Sequence, residues 1–133
     1  MSVFVDTSAI IAIVDRGDKG HPVATQAWGQ LVASGEELWV TSYVLLEAFS
    51  LIQRRFGMGA VRAFWDDMAP ALNVAWVDEA GHAIGVSAVL AAGRRDLTLV
   101  DCVSFEAMRS LGIRTAFTLD PHFAEQGFTC VPA

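Results

Sequence analysis

Four carboxylates stand out by their position: Asp6, Glu47, Asp101 and Asp120. Asp6 ends the apolar run Val3-Phe4-Val5, which has no polar alternation and suits a strand buried on both faces. Asp120 follows a second short apolar stretch, Thr115-Ala116-Phe117-Thr118. Asp101 lies in Leu97-Thr98-Leu99-Val100-Asp101-Cys102-Val103-Ser104-Phe105, where its neighbours are apolar. Glu47 shares a helix face with Tyr43, Val44 and Leu51, so an acid interrupts an apolar stripe. An acid in such a place is costly without a partner or a cation. Carboxylates at the carboxyl ends of neighbouring parallel strands converge where open α/β sheets place ligands. Brought together they repel, and hard divalent cations such as Mg²⁺ or Mn²⁺ relieve that repulsion through oxygen ligands.

Each acid also has a bland reading. Asp6 suits a helix N-cap, although Thr7 and Ser8 suit that position too. Thr98 and Asp101 have capping-box spacing, and Asp120 before Pro121 is an ordinary helix start. Glu47 has Arg54 further along its helix as a salt-bridge partner. No zinc-like set competes for the metal. His21, His82 and His122 are scattered and read as surface or capping residues, and Cys102 and Cys130 read as buried free thiols.

The elements that must position these acids alternate strand and helix. After the first strand, helices are expected from Ala9 to Val14 and from His21 to about Ser34. Leu38-Trp39-Val40 makes a second strand, followed by helices from Tyr43 to Phe56 and from Ala60 to Met68. Val74-Ala75-Trp76-Val77 reads as a third strand, with a helix from about Asp78 to Gly93. A polar turn, Arg94-Arg95-Asp96, precedes a helix from about Asp101 to Leu111. The fourth strand, a short helix from Pro121 to Glu125 and an edge strand, Thr129-Cys130-Val131, complete the chain. The alternation predicts an α/β fold with a central, mainly parallel sheet of four to five strands and right-handed crossovers.

At 133 residues, 53 % of them apolar and 18 % charged, the chain fits a single folded domain over residues 1–133. No apolar run reaches the roughly 18 residues of a membrane helix, and the N-terminus lacks a basic stretch followed by an apolar core. The cytoplasm is the expected compartment. A net charge of −6 argues against nucleic-acid binding by general basic character, but not against an enzyme whose own site is built of acids. Eight of the nine basic residues are arginine. Arg94 and Arg95, shortly before Asp101, are candidates to grip substrate phosphates, with a solvated turn as the alternative.

The segments Val5-Asp6-Thr7-Ser8-Ala9, Ser42 to Glu47, Leu97 to Cys102 and Thr118-Leu119-Asp120-Pro121-His122-Phe123 resemble the four acidic motifs of PIN-domain ribonucleases. Size and layout resemble the VapC toxins of bacterial toxin–antitoxin pairs. The resemblance implies a three-layer sandwich with strand order 3-2-1-4-5 and a pocket binding one or two Mg²⁺ or Mn²⁺ ions. It also implies RNA cleavage to a 5′-phosphate and a 3′-hydroxyl, a VapB-type antitoxin and a homodimer. Asp6, Glu47, Asp101 and Asp120 match the family's four acids. Asp6 and Asp101 would be the main metal ligands, with Asp120 completing the site. Glu47 would place a second ion or orient the attacking water. Thr7, Ser8 and Thr118 match hydroxyl residues that support the carboxylates.

Two rivals stand beside this reading. A haloacid-dehalogenase-type phosphatase would want Asp-x-Asp after the first strand, where this chain has Asp6-Thr7-Ser8. A non-catalytic PIN-like binding module would not need all four acids. An apolar groove near Trp39, Phe49, Phe56 and Phe64 is expected to accept an antitoxin segment, unless these aromatics are simply core.

Overall fold

The computed structural model describes all 133 residues. Five parallel strands form one sheet in the order β3-β2-β1-β4-β5: β1 (Ser2–Val5), β2 (Glu37–Thr41), β3 (Leu72–Ala75), β4 (Thr115–Phe117) and β5 (Thr129–Val131). Seven helices connect and cover them: α1 (Thr7–Val14), α2 (His21–Ala33), α3 (Ser42–Phe56), α4 (Met58–Ala63), α5 (Glu79–Ala92), α6 (Leu99–Leu111) and α7 (His122–Glu125). Successive strand residues face opposite sides of a sheet. Val3, Phe4 and Val5 are nevertheless all buried, so helices close both faces of β1 and the molecule has three layers.

The core gathers the apolar residues of the strands with the inner faces of the helices. Phe4, Ile10, Val40, Val44, Ile52, Met108, Phe117 and Phe123 lie wholly inside it. Phe123 stacks on Phe4 and meets Phe105 edge-on, which pins the short α7 against β1 and α6. No helix is long and apolar enough to cross a membrane.

The third strand begins two residues earlier than the apolar pattern suggests. Leu72 pairs with Leu38 and Ala75 with Thr41, which leaves Trp76 outside the sheet and 76 % exposed. The helix expected from Ala60 to Met68 is α4 followed by a wider π turn over Phe64–Met68 and a tight turn at Ala69–Ala71. Cys102 is buried as expected, whereas Cys130 is only half-buried. Of the four aromatics, Phe64 is core, and Trp39, Phe49 and Phe56 pack half-buried against it.

The strand order places β1 at the switch point, with β2 on one side and β4 on the other. There the chains leaving the two strands diverge and open a crevice at their carboxyl ends.

Candidate active site

Both β1 and β4 end at this crevice, and their ends are tied together. The Asp6 amide donates to the Phe117 carbonyl at 2.9 Å, so Asp6 leaves the sheet beside Thr118. Asp6 is also the N-cap of α1. Its Oδ2 accepts from Ser8 Oγ at 2.7 Å, from Thr118 Oγ1 at 3.0 Å and from the Ser8 amide at 3.4 Å. Its Oδ1 accepts no hydrogen bond from protein. The cap and the site are therefore one residue with two oxygens in two roles.

Asp101 repeats this division. The capping box suggested by its spacing is present: the Asp101 amide donates to Thr98 Oγ1 and Asp101 Oδ2 accepts from the Thr98 amide, both at 3.1 Å. Only Oδ2 is used, and the other oxygen is left without a protein partner. Asp120 follows β4 by three residues and is held by its own backbone. Its amide donates to Thr118 Oγ1 and its Oδ1 accepts from the His122 amide, both at 2.9 Å. Glu47 sits half-buried on the second turn of α3, with neither a hydrogen bond nor an ion pair, so it does not engage Arg54.

All four acids line one open cleft, together with Thr7, Ser8, Ile11, Leu51 and Thr98. Asp18 and Asp96 join them there. Burial, reinforced by the charges of Asp101 and Asp120, pushes the Asp6 carboxyl up to about 6 against the hydrogen bonds of Ser8 and Thr118. Burial likewise raises Asp101, which the Thr98 bonds oppose and the charge of Asp120 reinforces. A cluster that resists its own ionisation calls for a cation.

The donor set fits a hard divalent cation. Every acid offers oxygen, and Asp6 and Asp101 each keep one oxygen free of protein hydrogen bonds. Thr7 Oγ1, also on the cleft wall, is buried with no partner at all. It makes no bond to the carboxylates, unlike Ser8 and Thr118, and an ordered water would satisfy it.

His122 belongs to the site although its sequence suggested only a surface or capping role. Oxygens of Asp101 and Asp120 and a ring nitrogen of His122 all lie within 4.8 Å of one another. His122 Nε2 is 3.2 Å from Asp96 Oδ2, and Nδ1 is 2.8 Å from Asp120 Oδ1, although its N–H direction misses that oxygen. Burial lowers the imidazole pKa, but the Asp96 and Asp120 carboxylates outweigh it and the net shift is upward. The other two histidines stand apart from this group: His21 Nδ1 bonds the Ala12 carbonyl and His82 pairs with the Tyr43 hydroxyl. Arg94 and Arg95 do not line the cleft. Arg94 is bound to Asp96 and Glu125, whereas Arg95 is exposed and unpaired.

The sequence profile of the PIN domain matches residues 3–128. This chain belongs to the PIN domain family. Among relatives of this PIN domain is VapC20 of Mycobacterium tuberculosis, described as a 23S rRNA-specific endonuclease, which is 32 % identical over 128 residues covering 95 % of each chain. The crystal structure of VapC20, described as a sarcin–ricin-loop-cleaving toxin, matches with a TM-score of 0.83 at 29 % identity, covering 96 % of this chain and 97 % of that one. Two further structures share the fold at low identity. VapBC2 of Rickettsia felis, bound to a promoter DNA fragment, matches with a TM-score of 0.72 at 11 % identity over 98 % and 97 % of the chains. FitAcB of Neisseria gonorrhoeae matches with a TM-score of 0.69 at 12 % identity over 96 % and 95 %. The PIN domain described here is thus of the VapC kind in sequence and in strand order.

Proposed function

We propose that this chain is a divalent-cation-dependent endoribonuclease, the toxin half of a toxin–antitoxin pair, and that it hydrolyses phosphodiester bonds of large-subunit ribosomal RNA. One observation carries the reading: four carboxylates, delivered by segments spread from residue 6 to residue 120, line one cleft. The likeness to VapC20 over nearly the whole of both chains supports RNA as the substrate.

The free oxygens of Asp6 and Asp101, with Asp120 beside them, are the groups that would hold Mg²⁺ or Mn²⁺. A bound ion supplies Lewis acidity, acidifying water and offsetting charge on the phosphoryl oxygens. The residues of the chain do the rest. Ser8 and Thr118 fix Asp6 by its Oδ2, which keeps Oδ1 turned to the cleft. Glu47 lines the cleft without a protein partner, and in this reading it orients the attacking water and accepts its proton. In-line attack leaves a 5′-phosphate and a 3′-hydroxyl, the leaving oxygen taking up a proton. Arg95, free of ion pairs, is a candidate phosphate contact. A VapB-type antitoxin and a homodimeric state belong to the same proposal, as does a cytoplasmic site of action.

Purified protein incubated with ribosomal RNA tests the activity. Cleavage in Mg²⁺ or Mn²⁺ is expected, abolished by chelation and by Asp6→Asn or Asp101→Asn in variants that keep their circular dichroism. RNA that stays intact under every ionic condition would instead favour a binding module.

A further inference from the structure

We propose that Arg94, Asp96 and His122 form a positioning array that holds Asp120 in the acidic cluster, and that Arg94 serves this array rather than the phosphates of RNA. The proposal rests on the reading that Asp120 helps to hold a divalent cation.

Arg94 sits in the turn between α5 and α6, and each of its three guanidinium nitrogens already donates to a carboxylate. Nε reaches Asp96 Oδ1 at 3.1 Å and Nη2 reaches Asp96 Oδ2 at 2.9 Å, a two-pronged grip. Nη1 reaches Glu125 Oε2 on α7 at 3.2 Å. Asp96 Oδ2 then meets His122 Nε2 at 3.2 Å. The His122 ring is mostly buried, and its amide donates to Asp120 Oδ1 at 2.9 Å. Both ends of α7 are latched to the turn that precedes Asp101. Asp120 is bound to the first residue of α7, His122.

A single exposed ion pair contributes little. The array matters through orientation. Groups that hold a metal-binding side chain from behind typically change metal affinity about 10- to 100-fold when removed. An arginine that grips phosphate would instead have to give up donors that are already engaged.

Mn²⁺ titration followed by the electron paramagnetic resonance of the free ion separates the two roles. Arg94→Ala and Asp96→Asn are expected to weaken Mn²⁺ binding by about tenfold, with unchanged unfolding midpoints and an unchanged KM for RNA at saturating Mn²⁺. Arg94→Lys is expected to behave like Arg94→Ala, because one ammonium cannot span both Asp96 oxygens and Glu125. Wild-type Mn²⁺ affinity in Arg94→Ala, or a raised KM that Arg94→Lys restores, would overturn the array. A wild-type chain that binds no Mn²⁺ would overturn the array together with the function on which it rests.

Discussion

Thr118 joins two acids through one oxygen: its Oγ1 donates to Asp6 Oδ2 at 3.0 Å and accepts from the Asp120 amide at 2.9 Å. Asp6 and Thr118, 112 positions apart in the chain, are thereby set at a fixed spacing at the ends of β1 and β4. Replacing Thr118 by valine keeps the shape and removes both bonds. A hydrogen bond to a charged group contributes about 1.5–3 kcal/mol, so Thr118→Val is expected to lose stability in that range, together with most of its RNA cleavage. Thr118→Ser is expected to recover both. Denaturant unfolding and cleavage rates measured on the two variants check this.

The raised Asp6 pKa has a definite sign in stability. Its folded value of about 6 lies above the ordinary carboxyl value of 3.8, so the folded state binds this proton more tightly than the unfolded state. The cost of ionising Asp6 is absent below pH 3.8, grows up to about pH 6 and is complete above it, reaching about 3 kcal/mol. In chelator, Asp6→Asn is therefore expected to be more stable than wild type at pH 8, an advantage that fades towards pH 4. Added Mg²⁺ is expected to raise the unfolding temperature of wild type and leave that of the variant unmoved. Thermal unfolding across this pH range measures both effects.

Glu47 separates function from stability. It is half-buried and unpaired, so Glu47→Gln is expected to change stability by no more than about 0.5 kcal/mol. If Glu47 handles the proton of the attacking water, kcat falls about 100-fold or more. An unaltered kcat would return Glu47 to an ordinary place on the helix surface.

Gly85 governs how closely α5 approaches the helix that carries Asp101. A Cβ there would lie 2.4 Å from Val103 Cγ2 and 3.2 Å from Leu99 Cδ1, both on α6. Valine is stiff at χ1 and cannot simply turn away. Gly85→Ala is expected to cost about 1–3 kcal/mol and to displace Asp101 enough to weaken metal binding. The double variant Gly85→Ala with Val103→Ala is expected to recover part of the loss, read by calorimetric unfolding.

The fold was legible because its signals are local. Apolar runs such as Val3 to Val5, a glycine such as Gly112 after α6 and the capping spacing of Thr98 and Asp101 each decide their own neighbourhood. The acids were visible because they end strands or interrupt apolar faces. The third strand was misplaced because Trp76 and Val77 continue the apolar pattern past the point where pairing with β2 stops. His122, Asp18 and Asp96 were missed for another reason. Each is an ordinary polar residue in its own segment, and the Asp96–His122 contact spans 26 positions. Arg94 looked free for phosphate because only the tertiary fold brings Glu125 to it.

The proposed chemistry requires the acids to form one cation site. Crystals soaked in Mn²⁺ and measured at the manganese absorption edge test it most directly. An anomalous peak bounded by Asp6 Oδ1, Asp101 Oδ1 and the Asp120 carboxylate is expected, absent from crystals of Asp101→Asn. A cleft that stays without a peak while Mn²⁺ binds elsewhere on the molecule would contradict it.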